Sequence, residues 1–277
     1  MEEMTSSGTK EQIGRVTRAF LSMKKYNRAE LTKAYEGRER TMSTQHANKR
    51  KLVLNAFMSI DGIMQAPGGP EEDPMGDFSH GGWSVNYWDE MTMNIMNEAL
   101  SEPFELLLGR RTYEIFAAHW PFVKNDPEKL NQMAADRLNS ARKYVVSKTL
   151  SRADWTNSVL IKGDVARAIE KLKNQDGPEI QVHGSSNLIQ TLLQSNLVDE
   201  CRLWIFPVVL GRGKRLFGDG AHAGAWKLAD SKTSTSGVLI TTYTPAGEIQ
   251  RGSAALEVPT EAELARRKKM RDEEKHV

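Results

Sequence analysis

The chain has 277 residues, 39% hydrophobic and 27% charged, the balance of an ordinary soluble globular protein with one sizeable core or two modest ones. No apolar run approaches the ~20 residues of a membrane span, and the single cysteine, Cys201, excludes an internal disulfide framework or a paired-cysteine zinc site. The net charge of +2 divides unevenly: residues 1–50 hold 11 Lys/Arg against 6 Asp/Glu and residues 261–277 hold 6 against 5, leaving 21 against 25 in residues 51–260. The body therefore carries no general nucleic-acid footprint.

Residues 1–50 read as a polar N-terminal extension, expected to be flexible, in which Ile13, Val16, Phe20 and Leu21 share one weak helical face. Its acidic residues argue against a transit peptide, and it lacks the apolar stretch of a secretory signal. A cytoplasmic protein is expected, with Cys201 a buried, inert thiol in an apolar strand. Met42 stands just ahead of the first strand, so residues 1–41 can be an extension upstream of the true start.

Lys51 to Met58 is strand-like, followed by a long Gly/Pro-rich loop (Ala-Pro-Gly-Gly-Pro at 66–70, then Gly81-Gly82) and a helix from Tyr87 to Leu100. A strand at 104–108 runs through Gly109-Arg110-Arg111-Thr112 into a short helix. Asp126-Pro127 caps and starts another helix, up to Ser140. Tyr144 to Ser147 and Val159 to Ile161 are strands, and Asp164 caps a helix with Val165, Ile169 and Leu172 on one face. Ile180 to His183 is a strand, Gly184-Ser185-Ser186 a turn, and Leu188, Ile189, Leu192 and Leu193 the buried side of the next helix. Cys201 to Leu210 is a long apolar strand. Trp226 to Thr235 and Val238 to Thr244, joined at Ser236-Gly237, form a terminal hairpin. From Pro259 the tail is a charged, solvated helix.

This alternation predicts an α/β fold: a mostly parallel central sheet flanked by helices and closed at one edge by a C-terminal antiparallel hairpin. Ligands of such sheets bind beyond the carboxyl ends of the strands. Gly109-Arg110-Arg111-Thr112, Ser147-Lys148, Lys162-Gly163-Asp164 and Gly184-Ser185-Ser186-Asn187 all follow strands directly. Glycine allows close backbone approach, a helix start attracts anions and arginine grips phosphate bidentately. The economical guest is a nucleotide with one extra phosphate, NADPH rather than NADH. The plainer alternative for any one of these segments is a polar turn with solvated charges.

Read in order, four stretches resemble the dihydrofolate reductase fold, and more closely its riboflavin-biosynthesis pyrimidine reductase branch, the RibD C-terminal-like reductases. They are Met58-Ser59-Ile60-Asp61-Gly62, Leu108 to Glu114, Val182 to Leu188, and above all Leu197 to Leu203 running on from Phe206-Pro207 to Phe217. The resemblance assigns residues 51–252 to one reductase domain and leaves 253–277 as a charged tail. It implies that Gly109, Arg110, Arg111 and Thr112 bind the 2'-phosphate and pyrophosphate of NADPH, with Ser147 and Lys148 at the adenosine-phosphate end. Gly184, Ser185, Ser186 and Asn187, leading into Leu188, pass under the pyrophosphate. Dihydrofolate reductases usually carry paired glycines at this turn, so Gly184-Ser185 is a departure that weakens the folate reading. A zinc deaminase half is absent, since one cysteine cannot supply its ligands, and no metal site is expected.

The resemblance further implies a small-molecule substrate, a homodimer paired through the sheet edge and C-terminal strands, and reduction of 5-amino-6-(5-phosphoribosylamino)uracil. Reduction of dihydrofolate, a pterin or another small molecule, and a non-catalytic nucleotide-binding homodimer, stay open. Asp61 is the candidate for substrate contact or proton relay, with a turn-capping role as its alternative. Ser59, Trp83, Trp120, Gly211 and Lys214 are candidate substrate contacts, and Trp88 borders the same loops. Asp89 and Glu90 read as first-turn carboxylates, His183 as a hydrogen-bonded structural residue, and Glu114 as a partner for Arg110 or Arg111.

Overall fold

The computed structural model describes residues 49–124, 130–218 and 221–275. The chain divides into two compact units, residues 1–50 with 171–177 and residues 51–170 with 178–277. The expected N-terminal extension lies almost wholly outside the described residues, as does the start of a helix at Asp126-Pro127.

The second unit carries eight strands among the described residues: β1 (Leu52–Ser59), β2 (Phe104–Gly109), β3 (Lys143–Val146), β4 (Ser158–Ile161), β5 (Glu179–His183), β6 (Glu200–Phe206), β7 (Ala225–Thr233) and β8 (Leu239–Gly247). They form one sheet in the order β4-β3-β2-β5-β1-β6-β8-β7. Neighbours from β4 to β6 run parallel, while β8 is antiparallel to both β6 and β7. This is the mostly parallel α/β sheet closed by a C-terminal antiparallel hairpin that the alternation predicts. Leu52, Val53 and Leu54 of central β1 are fully buried, as expected where both faces of a parallel sheet are covered.

Six helices are described: α1 (Glu90–Ser101), α2 (Arg110–His119), α3 (Leu130–Ser140), α4 (Val165–Lys173), α5 (Ser186–Gln194) and α6 (Glu261–Glu274). α1 begins three residues later than its pattern suggests, because Val85–Tyr87 forms a separate 3-10 turn and Asp89 is the cap. Asp89 Oδ1 accepts from Thr92 N at 2.8 Å while Asp89 N donates to Thr92 Oγ1 at 2.7 Å, a reciprocal capping box. Its other oxygen accepts from Thr235 Oγ1 (2.7 Å) and Ser236 N (2.9 Å) at the tip of the β7–β8 hairpin. These bonds hold the Asp89 carboxyl well below the usual carboxylate range. Asp164 caps α4 as expected, accepting from Arg167 N at 3.1 Å. The tail helix α6 is capped by Thr260 and buries no residue.

Strand β6 stops at Phe206 instead of running on to Leu210, because Pro207 has no N–H to give a ladder. Beyond it the chain leaves the ladder but stays tied to the segment after β1, with Ile60 N donating to Val208 O at 2.9 Å.

One face of the sheet carries two apolar clusters. Phe104, Leu106 and Leu108 of β2 and Val145 of β3 pack with Leu100, Tyr113, Leu138 and Trp155. On the other side of β1, Trp204 and Phe206 of β6 and Ile240 of β8 pack with Ile63, Phe78 and Trp83. Met96 of α1 packs against both clusters. Between them, β5, β1 and the start of β6 present a polar strip. The register sets Val53 beside Gln181 and Glu200, and Asn55 beside His183 and Arg202.

Candidate active site

The four strand exits singled out above belong to β2, β3, β4 and β5, and the order β4-β3-β2-β5 sets them side by side along one end of the sheet. At the β2 exit, Gly109 caps α2 with no side-chain bond. Its φ of −74° is ordinary, so its need for glycine lies elsewhere. A Cβ there would sit 2.7 Å from Ser185 Oγ and 2.8 Å from Ser185 Cβ. The close approach is thus to the neighbouring turn. Arg110 lies along its helix and meets both Glu114 oxygens at 2.9 Å, an exposed pair of the kind worth under ~1 kcal/mol. Arg111 is exposed, with no hydrogen bond or ion pair among the described residues.

At the β5 exit, Gly184 (φ 71°) and Ser185 (φ 69°) are consecutive left-handed residues. Serine there carries a penalty of ~1–2 kcal/mol that glycine avoids. Ser185 is the N-cap of α5, yet its hydroxyl makes no cap bond. It accepts from Gly109 N at 2.9 Å and donates to Thr112 Oγ1 at 2.6 Å. The two glycine turns are laced together, while the first N–H groups of α5, from Ser186 and Asn187, have no side-chain cap. Those are the groups an anion meets at a helix start. Leu188 behind them is buried beside Gly109. At the β3 exit, Ser147 is buried and accepts from Thr149 N (3.2 Å) and Leu150 N (3.0 Å), closing its own turn; Lys148 is exposed.

The β1 exit is a fastening. Asp61 accepts from Ser59 Oγ (2.6 Å), Leu210 N (3.1 Å) and Gly211 N (2.8 Å), and Arg215 donates to its carbonyl oxygen. Partial burial opposes ionisation, but the Ser59 hydroxyl and the two backbone N–H groups outweigh it and bring the carboxyl down to about 2. Asp61 is therefore ionised at neutral pH with both oxygens engaged, the arrangement of a turn cap. Ser59, fully buried, also accepts from Ile63 N at 2.9 Å. Gly211 spends its N–H on Asp61, and the Lys214 ammonium is paired with Asp73. Trp83 is core: its Nε1 donates to Gln65 O at 2.7 Å and its ring meets Phe206. Trp120, half-buried, packs edge-on against Phe116.

The polar strip is a feature that reading the sequence missed. Lys51 Nζ meets Glu200 Oε2 at 3.1 Å, and Arg202 Nε meets Glu200 Oε1 at 2.7 Å. The Arg202 guanidinium then grips both oxygens of Glu179, at 2.9 and 3.1 Å. Gln181 Nε2 donates to Glu179 Oε1 at 2.6 Å, and Gln181 Oε1 lies 2.8 Å from His183 Nε2. The signal was the alternation of Glu179, Gln181 and His183 along β5 and of Glu200 and Arg202 along β6. Burial, reinforced by the Arg202 charge, lowers His183 to about 4, so its imidazole is neutral. Asn55, His183 and Arg202 are only half-buried although they lie on central strands, so the sheet is left partly open here, and we take this part of it as the floor of a cleft. Phe57, Trp88, Met96 and Phe116 supply apolar walls, the usual composition of a small-molecule site. Among the described residues no group of three His, Cys, Asp or Glu is placed to hold a metal. No helix there is long and apolar enough to cross a membrane. Cys201 is buried, which pushes its thiol up to about 12.

The sequence pattern of the RibD C-terminal domain family matches residues 50–240. This chain belongs to that family. The uncharacterised protein YyaP of Bacillus subtilis (strain 168) is 28% identical over 200 residues, covering 72% of this chain and 97% of its own. A crystal structure from Shewanella sp. PV-4, provisionally assigned to riboflavin biosynthesis, shares the fold. It is 20% identical, with a TM-score of 0.52, over 70% of this chain and 98% of that one. The dihydrofolate reductase of Enterococcus faecalis is 12% identical, with a TM-score of 0.45, over 72% of this chain and 98% of its own.

Proposed function

We propose that this protein is an NADPH-dependent reductase of a small planar acceptor, similar to 5-amino-6-(5-phosphoribosylamino)uracil reductase. The observation that carries the reading is the run of four adjacent strand exits containing a helix start without a side-chain cap and an arginine, Arg111, with no partner among the described residues. These groups fit a phosphorylated dinucleotide. The Ser186 and Asn187 N–H groups would hold the pyrophosphate, and Arg111, with Lys148 nearby in the strand order, would hold the additional phosphate. NADPH, when bound, supplies the hydride. The protein orients and encloses: Phe57 and Phe116 keep water from the cleft floor, and hydride transfer asks for alignment above all. Asp61 is ionised, and neutral His183 has its one ring hydrogen committed to Gln181, so neither serves as an acid at neutral pH and the proton comes from solvent.

A second reading, a nucleotide-binding protein without turnover, draws on one observation: the carboxylate expected to serve the substrate, Asp61, is spent on loop closure. Consumption of NADPH with the ribosylaminopyrimidine phosphate or with dihydrofolate as acceptor separates the readings and the substrates. A thermal-shift titration in which NADPH and NADH stabilise equally would remove the phosphate assignment. The homodimer belongs to the same proposal: β7 ends the sheet with one edge unpaired among the described residues, and light scattering in solution reads the mass directly.

A further inference from the structure

The polar strip ends at the cleft with two unpartnered atoms. Asn55 and His183 are register partners on parallel β1 and β5, so their side chains leave the same face side by side, on strands about 4.8 Å apart. The strip dictates the state of the imidazole. Arg202 holds both oxygens of Glu179, so the Gln181 amide must turn its N–H toward Glu179 and its oxygen toward His183. An oxygen at 2.8 Å requires a hydrogen on His183 Nε2. Nδ1 then carries the lone pair, and it has no partner among the described residues. Beside it, Asn55 Nδ2 is buried without an acceptor, a condition that native interiors rarely tolerate. One lone pair and one donor, the donor itself closed to water, thus lie adjacent on half-buried residues flanked by apolar side chains.

We propose that Asn55 and His183 form a recognition pair for the amide edge of a planar ligand, a C=O beside an N–H. The ligand carbonyl accepts from Asn55 Nδ2 and its N–H donates to His183 Nδ1. The assignment rests on the reductase reading only for the kind of molecule that enters the cleft. The same edge occurs in the carboxamide of a nicotinamide ring and in the ring lactam of a second ligand, and the test distinguishes the two.

Two comparisons on the full chain decide it, both by calorimetry. The first sets NADP+ against its 3-acetylpyridine analogue, in which an acetyl group replaces the carboxamide. The second sets uracil against 1,3-dimethyluracil, which lacks N–H donors, on protein saturated with NADP+. The pair predicts about tenfold or greater discrimination in one comparison, since a site built to hydrogen-bond a donor rejects the analogue that lacks it. Discrimination in the first identifies the carboxamide, and in the second the lactam. In either case it is lost in His183→Phe, whereas Asn55→Leu weakens both members of the preferred comparison alike by removing the carbonyl donor they share. No discrimination in the intact protein, discrimination that survives in folded His183→Phe, or unchanged affinity for the preferred probe in folded Asn55→Leu overturns the pair. Should the variants fail to fold, imidazole 15N shifts of the intact protein decide. An Nε2–H tautomer whose Nδ1 signal moves on adding the preferred probe supports the pair, and an unmoved Nδ1 overturns it. Failure to bind NADP+ at all removes the reductase reading instead, and uracil against dimethyluracil on the free protein still judges Asn55 and His183.

Discussion

Gly109 and Ser185 lie 76 residues apart and meet where two phosphate-type turns touch, so a double-mutant cycle can test that lacing. In Gly109→Ala the new methyl meets Ser185 Oγ at 2.7 Å and Ser185 Cβ at 2.8 Å. Contacts that short force a shift costing ~1–3 kcal/mol, and displacing the hydroxyl from Gly109 N forfeits a further ~0.5–1.5 kcal/mol. Gly109→Ala alone should therefore lose about 3 kcal/mol. Ser185→Gly gives up that hydrogen bond and the one to Thr112, ~0.5–1.5 kcal/mol each, but relieves a left-handed serine worth ~1–2 kcal/mol, so alone it should fall within about 1 kcal/mol of the parent. With Ser185→Gly in place, the methyl introduced by Gly109→Ala has only Leu188 Cβ at 3.8 Å, an ordinary contact. The double variant should then lose only about 1 kcal/mol, a coupling near 2 kcal/mol where independent sites agree within ~0.5 kcal/mol. Urea unfolding at constant m-value measures all four corners. Additive losses would show that the two turns are not in contact and would remove the lacing argument.

Three further outcomes are expected. Arg111→Ala should weaken NADP+ binding about tenfold while leaving NAD+ unchanged, and Arg110→Ala should do less because Arg110 is already paired with Glu114; isothermal titration of both cofactors checks this. His183 has an ordinary value of 6.5 and about 4 in the fold, so between those values the unfolded chain binds the extra proton. Stability is full above 6.5 and falls on acidification toward pH 4, by at most about 3 kcal/mol; a urea series over that range should show the slope flattened in His183→Leu. Lys143, fully buried with its amine on Asn139 O, Ala141 O and Thr156 O, is lowered by burial to about 8 from 10.5. Its contribution should make the protein more stable as pH rises from 8 toward 10.5, and Lys143→Met, which strands three carbonyls, should cost about 2 kcal/mol at pH 7.

The strands were legible because most of their apolar runs are short and bounded by turn residues. Their exits could be read for the same reason, and the parallel order then made four of them neighbours. Boundaries were less legible: Pro207 ends β6 by lacking one N–H, and Asp89, not Tyr87, starts α1 because only Asp89 closes a capping box with Thr92. The pairing that reassigns the candidate groups was out of reach. Lys214 finds Asp73 across 141 residues, and Asp61 finds Gly211 across 150; no local pattern encodes such distances. The strip from Lys51 to His183 looked like scattered polar breaks in apolar strands. Only the register, which sets Asn55 between His183 and Arg202, turns them into one network.

Asp89 has one oxygen in the first turn of α1 and the other on the hairpin tip at Thr235 and Ser236. Met96, which packs against both clusters that flank the cleft floor, is carried on that same helix. Fraying of the hairpin therefore frees the helix start, and lifting the helix frees the hairpin. The two should exchange their amide hydrogens as one cooperative unit, so loosening of the terminal hairpin and exposure of this part of the sheet should coincide.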